Sequence, residues 1–284
     1  MILVPAGKTL NREFTHSTRE SDNVSSMTAQ PNRAAFRPSL LVLVAFAHAG
    51  CSSAKAPTGP IEKQGVDPSM VVLPVGLTLI DDFERPSEPI PGLTSAGEWY
   101  GFDDGSVADT GDARHQTVEQ ASLAAPHTTL SPSKPSTHAL HLRGGPYDSW
   151  GAGVAHPLGP DSMSPFDASA FSGVLFWAGK GNGSASSFVT LALPTADDTS
   201  TSFGGRCMTR TGETIGGCGD AFHLDIALAD DWRFYKMSFG ELHQAGYGYA
   251  PPDGFDKKTI FSVVFTNLQG AEFDEWIDDI AFYK

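Results

Sequence analysis

The chain ends on WIDDIAFYK, Trp276–Lys284, and the first stretch with the same character is LIDDFERP, Leu79–Pro86. Each sets an acidic pair inside an apolar run that reads as a β-strand. Asp is depleted in strands, and a buried carboxylate is costly unless something pairs with it. Two such pairs, one opening and one closing the ordered part of the sequence, ask for a shared partner.

Between them the same kind of run recurs. VVLPVGLTLIDDFE, HALHLRG, GAGVAHPL, GVLFWAG, SFVTLALP, FHLDIALA, WRFYKMSF, IFSVVFTN and EWIDDIAFY are short, apolar and partly alternating, and turn residues separate them. No stretch carries a capped helical stripe, and no repeat of fixed period is visible. About nine antiparallel strands without helices predict an all-β domain, a β-sandwich or jelly roll. Asp109–Thr137 is long and polar and reads as a loop insertion. The formal charge is −14, with no basic cluster, which argues against a nucleic-acid partner.

The first fifty residues do not read as fold. Leu40–Ala47 is an apolar run preceded by Arg33 and Arg37 and followed by small residues up to Gly50-Cys51-Ser52-Ser53, the plan of a secretory signal and too short to span a membrane. It resembles a bacterial lipoprotein signal, which implies lipidation at Cys51 and a membrane anchor through it; a cleaved, non-lipidated signal is the alternative. Met27 gives a signal of ordinary length, so residues 1–50 are read as an N-terminal extension plus signal. Residues 51–70 are read as a flexible tether and 71–284 as the domain. The expected location is the bacterial cell envelope, or the medium if Cys51 carries no lipid. Cys207 and Cys218 in CMTRTGETIGGC are an even pair in an exported chain and read as a disulfide.

The order LIDDFE, YDSWGAGVAHPLG, SGVLFWA, GDAFHLDIALADDWRFYKMSFGELHQAGYGYAPP and FDEWIDDIAFY resembles family 11 carbohydrate-binding modules and related galactose-binding-like domains. The resemblance covers most of residues 79–284 and implies a β-jelly roll. First and last strands can lie adjacent in that fold, so Asp82, Glu84, Asp278 and Asp279 can meet at one edge. Asp82 and Glu84 share a strand face, being two apart. Hard oxygen ligands suit Ca²⁺, and the resemblance implies a structural calcium there. The other reading is of rim carboxylates satisfied by backbone N–H groups and Arg85.

A sugar needs exposed aromatic rings for its C–H face and polar side chains for its hydroxyls. The resemblance carries a ligand Asp onto Asp220 and a stacking Tyr onto Tyr249. His243 or Gln244 stands near a binding Arg, Tyr147 near a polar position before Trp150, and Asn267 where the family has a further Tyr. Tyr247, in the same Gly-Pro loop as Tyr249, is a second aromatic candidate. Trp150, Trp177, Trp232 and Trp276 read as core, and Trp99-Tyr100 as core or groove edge. No nucleophile motif is present. The expected function is non-catalytic binding of a polysaccharide, with β-glucan as the example, by a monomer. A surface scaffold without sugar binding is the first alternative, and glycoside hydrolysis is the second.

Overall fold

The computed structural model describes residues 62–84, 99–107, 116–123, 136–182, 186, 188–208 and 217–284. The expected signal, its candidate start at Met27, Cys51 and Arg85 lie outside them. Strands β1 (Lys63–Gln64), β2 (Thr78–Asp81), β3 (Tyr100–Asp103), β4 (Thr117–Ser122), β5 (His138–Gly144) and β6 (Ala152–Pro157) come first. β7 (Gly173–Lys180), β8 (Phe188–Leu193), β9 (Phe222–Ala227), β10 (Arg233–Ser238), β11 (Ser262–Asn267) and β12 (Phe273–Tyr283) follow. Three single-turn 3₁₀ helices are the only helices among the described residues, and none is long and apolar enough to cross a membrane.

The strands form two sheets, in the orders β1-β9-β8-β11-β6-β3 and β10-β7-β12-β5-β4, with β2 also on β12. Pairing is antiparallel except between β1 and β9. The fold is thus an all-β sandwich. Alternation builds it: Val154, Leu191, Leu224, Val263 and Phe265 of the first sheet meet Leu140, Leu142, Val174, Phe176, Ile277 and Phe282 of the second in one buried cluster.

All nine sequence-read strands are present, and β1, β3 and β4 are additional. β4 lies inside the span read as a loop insertion, where Thr117–Ser122 pairs with β5 from Arg143 to His138. Described structure begins at Glu62, within the span read as a tether. There Lys63 and Gln64 pair with Ile226 and Ala227, and Val66 exchanges backbone hydrogen bonds with Phe234 (2.8 and 3.0 Å). Val71, Leu73 and Leu77 then cover Leu175, Trp177, Phe234 and Tyr283 on the outside of the second sheet.

The opening and closing motifs do meet. The strand β12 pairs with β7 along one edge; along the other it pairs first with β5, through Ile277, and then with β2, from Ile280. The change of partner falls at Asp278-Asp279, where the ladder is bulged and Asp279 adopts φ 52°. The acidic pair therefore sits at a seam between three strands.

Candidate functional site

The outward face of the first sheet is paved with small residues. One transverse row runs His223–Ala192–Val264–Ala155–Tyr100 and the next Asp225–Thr190–Thr266–Gly153–Phe102. The short side chains keep the middle of the sheet low, while Tyr100 and Phe102 rise at the β3 edge. The result is an open groove, partly continuous with solvent. Its walls include Tyr100, Phe102, Phe203 and Phe261, and its polar lining includes Ser162, Asp198, Thr199, Ser200 and Ser262. Cys218 and Gly219 also line it, and the Cys207–Cys218 disulfide (Cα–Cα 5.7 Å) ties that wall to the segment after Asp198.

Asp198 is the carboxylate of the groove. Both its oxygens accept from the Thr195 N–H, at 3.1 Å, and Oδ2 also accepts from Thr195 Oγ1, at 2.7 Å. Burial outweighs these bonds and pushes its pKa up to about 7.

Five of the six sugar-binding candidates from the sequence come together beside this groove, and three of them, Asp220, Gln244 and Tyr247, spend their polar atoms on nearby backbone. Asp220 is buried, at 1% exposure. Its Oδ1 accepts from Ala245 N (2.9 Å), and its Oδ2 from Gly246 N (2.8 Å) and Gly248 N (2.9 Å). Gln244 Nε2 donates to the Asp220 and Tyr249 carbonyls at 2.6 and 3.0 Å. The Tyr247 hydroxyl donates to Gly219 O at 2.8 Å, and burial raises its pKa. His243 pairs through its backbone with His223, with ring centroids 4.8 Å apart. These residues clip the loop 243–249 against Gly217–Asp220, which is the rim of the groove.

Tyr249, 44% exposed, is the one of the five that offers a free ring. Tyr147 is a correction: it is 2% exposed, stacks near Phe273, and its hydroxyl accepts from Gln116 N at 2.8 Å.

Asn267, which stands where the resembled family has a further Tyr, is buried between the sheets. Trp150 and Trp177 are buried as expected. Trp276 is not core, being half-buried on the outside of the second sheet.

The Trp99-Tyr100 alternative resolves by alternation. Trp99 packs on the core and donates Nε1–H to Asp81 Oδ2 at 2.8 Å, whereas Tyr100 faces the groove. Phe102 was legible, being two residues along the same strand. Asp198, Phe203 and Phe261 carried no local signal, since only the fold brings them together.

The seam gathers oxygen atoms. Glu84 Oε1 accepts from Thr137 N and His138 N at 2.6 and 2.7 Å, and Oε2 from Thr137 Oγ1 at 2.6 Å. Ser136 Oγ lies 2.6 Å from Asp278 Oδ2, 2.9 Å from His138 O and 3.2 Å from Glu84 Oε1. One hydroxyl hydrogen faces three acceptors, a surplus of hard oxygens whose chemistry fits Ca²⁺. Asp82 Oδ1 accepts from Glu84 N at 3.3 Å, and Asp279 N donates to Asp278 Oδ1 at 2.7 Å. Among the described residues no group of three or more His, Cys, Asp or Glu is placed to hold a metal. An ion at the seam would therefore draw on the hydroxyl and carbonyl oxygens too.

No family model and no curated protein matches the chain. Among solved structures it is similar to a family 11 carbohydrate-binding module from Clostridium thermocellum in complex with a β-1,3-1,4-mixed-linked tetrasaccharide. The identity is 14% and the TM-score 0.42, over 74% of this chain and 96% of that one. It is also similar to the family 30 carbohydrate-binding module of a cellulosomal cellulase of the same organism, at 13% identity and TM-score 0.39, over 74% and 98%. A looser likeness is to an exo-β-agarase, at 13% identity and TM-score 0.38, over 72% of this chain and 24% of that one.

Proposed function

We propose that this domain is a non-catalytic carbohydrate-binding module that seats a polysaccharide along the groove of the first sheet. The observation that carries the reading is the groove's build: a flat floor of small residues, aromatic walls at Tyr100 and Phe102, and convergent hydroxyls with one carboxylate, Asp198. The C–H face of a sugar ring stacks on Tyr100, and its hydroxyls exchange hydrogen bonds with Thr199, Ser200 and Ser262, while Asp198, 2% exposed and held by Thr195, braces the lining from beneath. The disulfide fits an exported protein, and lipid attachment at Cys51 belongs to the same proposal. So does a structural Ca²⁺ held by Glu84 and Asp278 with Ser136 Oγ and the His138 carbonyl.

The test is calorimetry with mixed-linkage β-glucan and a panel of other soluble polysaccharides. Tyr100→Ala should weaken binding about tenfold, a loss of roughly 1.4 kcal/mol, while the melting temperature stays close to that of the wild type. Equal binding by Tyr100→Ala and Ser262→Ala would place the site elsewhere, and no binding to any member of the panel would leave the scaffold reading.

A further inference from the structure

The transverse row His223–Ala192–Val264–Ala155–Tyr100 continues one residue beyond β9. His223 and His243 exchange both backbone hydrogen bonds, His223 N to His243 O at 2.8 Å and His243 N to His223 O at 3.1 Å. Residues paired in this way have Cα atoms about 5.5 Å apart and side chains on one face. Leu224 and Ile226 point into the core, so His223 and its partner face outward. His243 is exposed and His223 half-buried, and neither is among the residues that line the groove.

The two rings are not stacked, their planes being 47° apart. His223 Nδ1 lies 2.9 Å from Ala221 O. A carbonyl only accepts, so the hydrogen sits on Nδ1 and the neutral ring keeps its lone pair on Nε2. Metal-ligating histidines are oriented by such a bond from their other nitrogen. Among the described residues neither ring nitrogen of His243 has a hydrogen-bond partner. The spacing also suits shared ligation. An ion about 2.0–2.1 Å from a ring nitrogen stands about 3.2 Å from that ring's centroid, so two rings meeting at the ~90–109° of square-planar or tetrahedral geometry have centroids about 4.5–5.2 Å apart. The His223 and His243 centroids are 4.8 Å apart.

We propose that His223 and His243 form a transition-metal site at which one divalent ion, Zn²⁺ or Cu²⁺, is held by two imidazole nitrogens with water in its remaining positions. Imidazole selects such ions, whereas the oxygen atoms at the Asp278 seam suit Ca²⁺, so the two sites differ in chemistry as well as in place. Among the described residues no third His, Cys, Asp or Glu joins the pair, which makes the site open and its ion exchangeable. The bound ion ties residue 243, where the rim loop 243–249 begins, to the edge of β9. The site stands on its own residues and does not depend on what the groove binds.

The experiment titrates Cu²⁺, and separately Zn²⁺, into the untagged protein in a buffer containing Ca²⁺, by calorimetry and, for Cu²⁺, electron paramagnetic resonance. Wild type, His243→Ala and a control, His138→Gln, are compared. The wild type should bind one ion tightly, with a Cu²⁺ spectrum split by two imidazole nitrogens. His243→Ala should bind at least tenfold more weakly and lose one of those nitrogens, and His138→Gln should behave as the wild type. If His243→Ala melts below the wild type in the absence of metal, ¹⁵N-histidine spectra of the wild type decide instead, with the His223 and His243 ring signals moving together on adding Zn²⁺. Equal binding by His243→Ala, loss of the tight ion in His138→Gln, or a Cu²⁺ spectrum with fewer than two nitrogens overturns the site. So does a Zn²⁺ titration that leaves either ring signal unmoved.

Discussion

Asp220 shows how a single residue changes meaning once its surroundings are known. Beside a Gly-Pro loop it reads as a sugar acceptor, yet its two oxygens are filled by three backbone N–H groups of that loop. Removing the carboxylate leaves those donors without partners, at about 1–3 kcal/mol for each that water cannot reach. Asp220→Ala is therefore expected to lower the melting temperature and to open residues 245–250 to proteolysis, and unchanged melting with normal protease resistance would return Asp220 to the ligand list.

Glu275 makes a second case. It is fully buried, and Asn267 Nδ2 donates to its Oε2 at 3.0 Å across the two sheets, while Glu275 Oε1 and Asn267 Oδ1, both acceptors, have no hydrogen-bond partner. A proton on Oε1 satisfies both. Burial raises the pKa from an ordinary 4.5 to about 8, consistent with that proton. The sign follows: below pH 4.5 both folded and unfolded states are protonated, and between 4.5 and 8 the unfolded chain ionises while the folded one does not. Stability should thus fall as pH rises through that window, with the penalty complete above 8. Glu275→Gln, which supplies the same donor without titrating, should flatten this part of the profile and stabilise the protein at pH 8. A parallel loss in the variant, measured by urea unfolding across pH, would contradict the assignment.

At the scale of elements, β12 explains the paired acidic motifs. The strand exchanges β5 for β2 at Asp278-Asp279, and there the Asp279 N–H is taken up by the Asp278 carboxylate. Glu84, from the end of β2, does the same for the start of β5 through the Thr137 and His138 N–H groups. If the proposed ion sits among the oxygens around Ser136, it would stabilise the fold by binding the folded state and not the unfolded chain. Chelation is expected to lower the melting temperature and added Ca²⁺ to restore it, and Glu84→Gln should remove the difference. Identical melting curves, with no metal by elemental analysis, would leave the hydrogen bonds alone holding the seam.

At the scale of the molecule, residues 62–70 are part of the sandwich. Its contributions are the β1 pairing, the Val66–Phe234 exchange, the Arg233–Asp67 ion pair at 2.9 Å and the Lys63–Glu241 pair. A chain beginning at Val71 should lose roughly 2–3 kcal/mol against one beginning at Glu62, or about 5–10 °C in melting temperature. Equal melting would show the segment to be a tether after all.

The sequence by itself determined the nine principal strands and the all-β class, because two-residue alternation is a local property of the chain. It also identified the cysteine pair and placed the two acidic motifs at strands that meet. It did not mark β1, β3 and β4, which are short or polar and become strands through the neighbours that accept their hydrogen bonds. Nor did it assign faces. Tyr147 follows a strand and Trp276 lies within one, and only the packing of one sheet on the other buries the first among Phe273 and Gln116 and leaves the second on an outer surface. The tertiary structure decided the roles of Asp198, Asp220 and Glu275 for the same reason. Whether a carboxylate meets a neighbouring threonine, loop backbone or a buried amide depends on which segments surround it, and the local sequence does not say which those are.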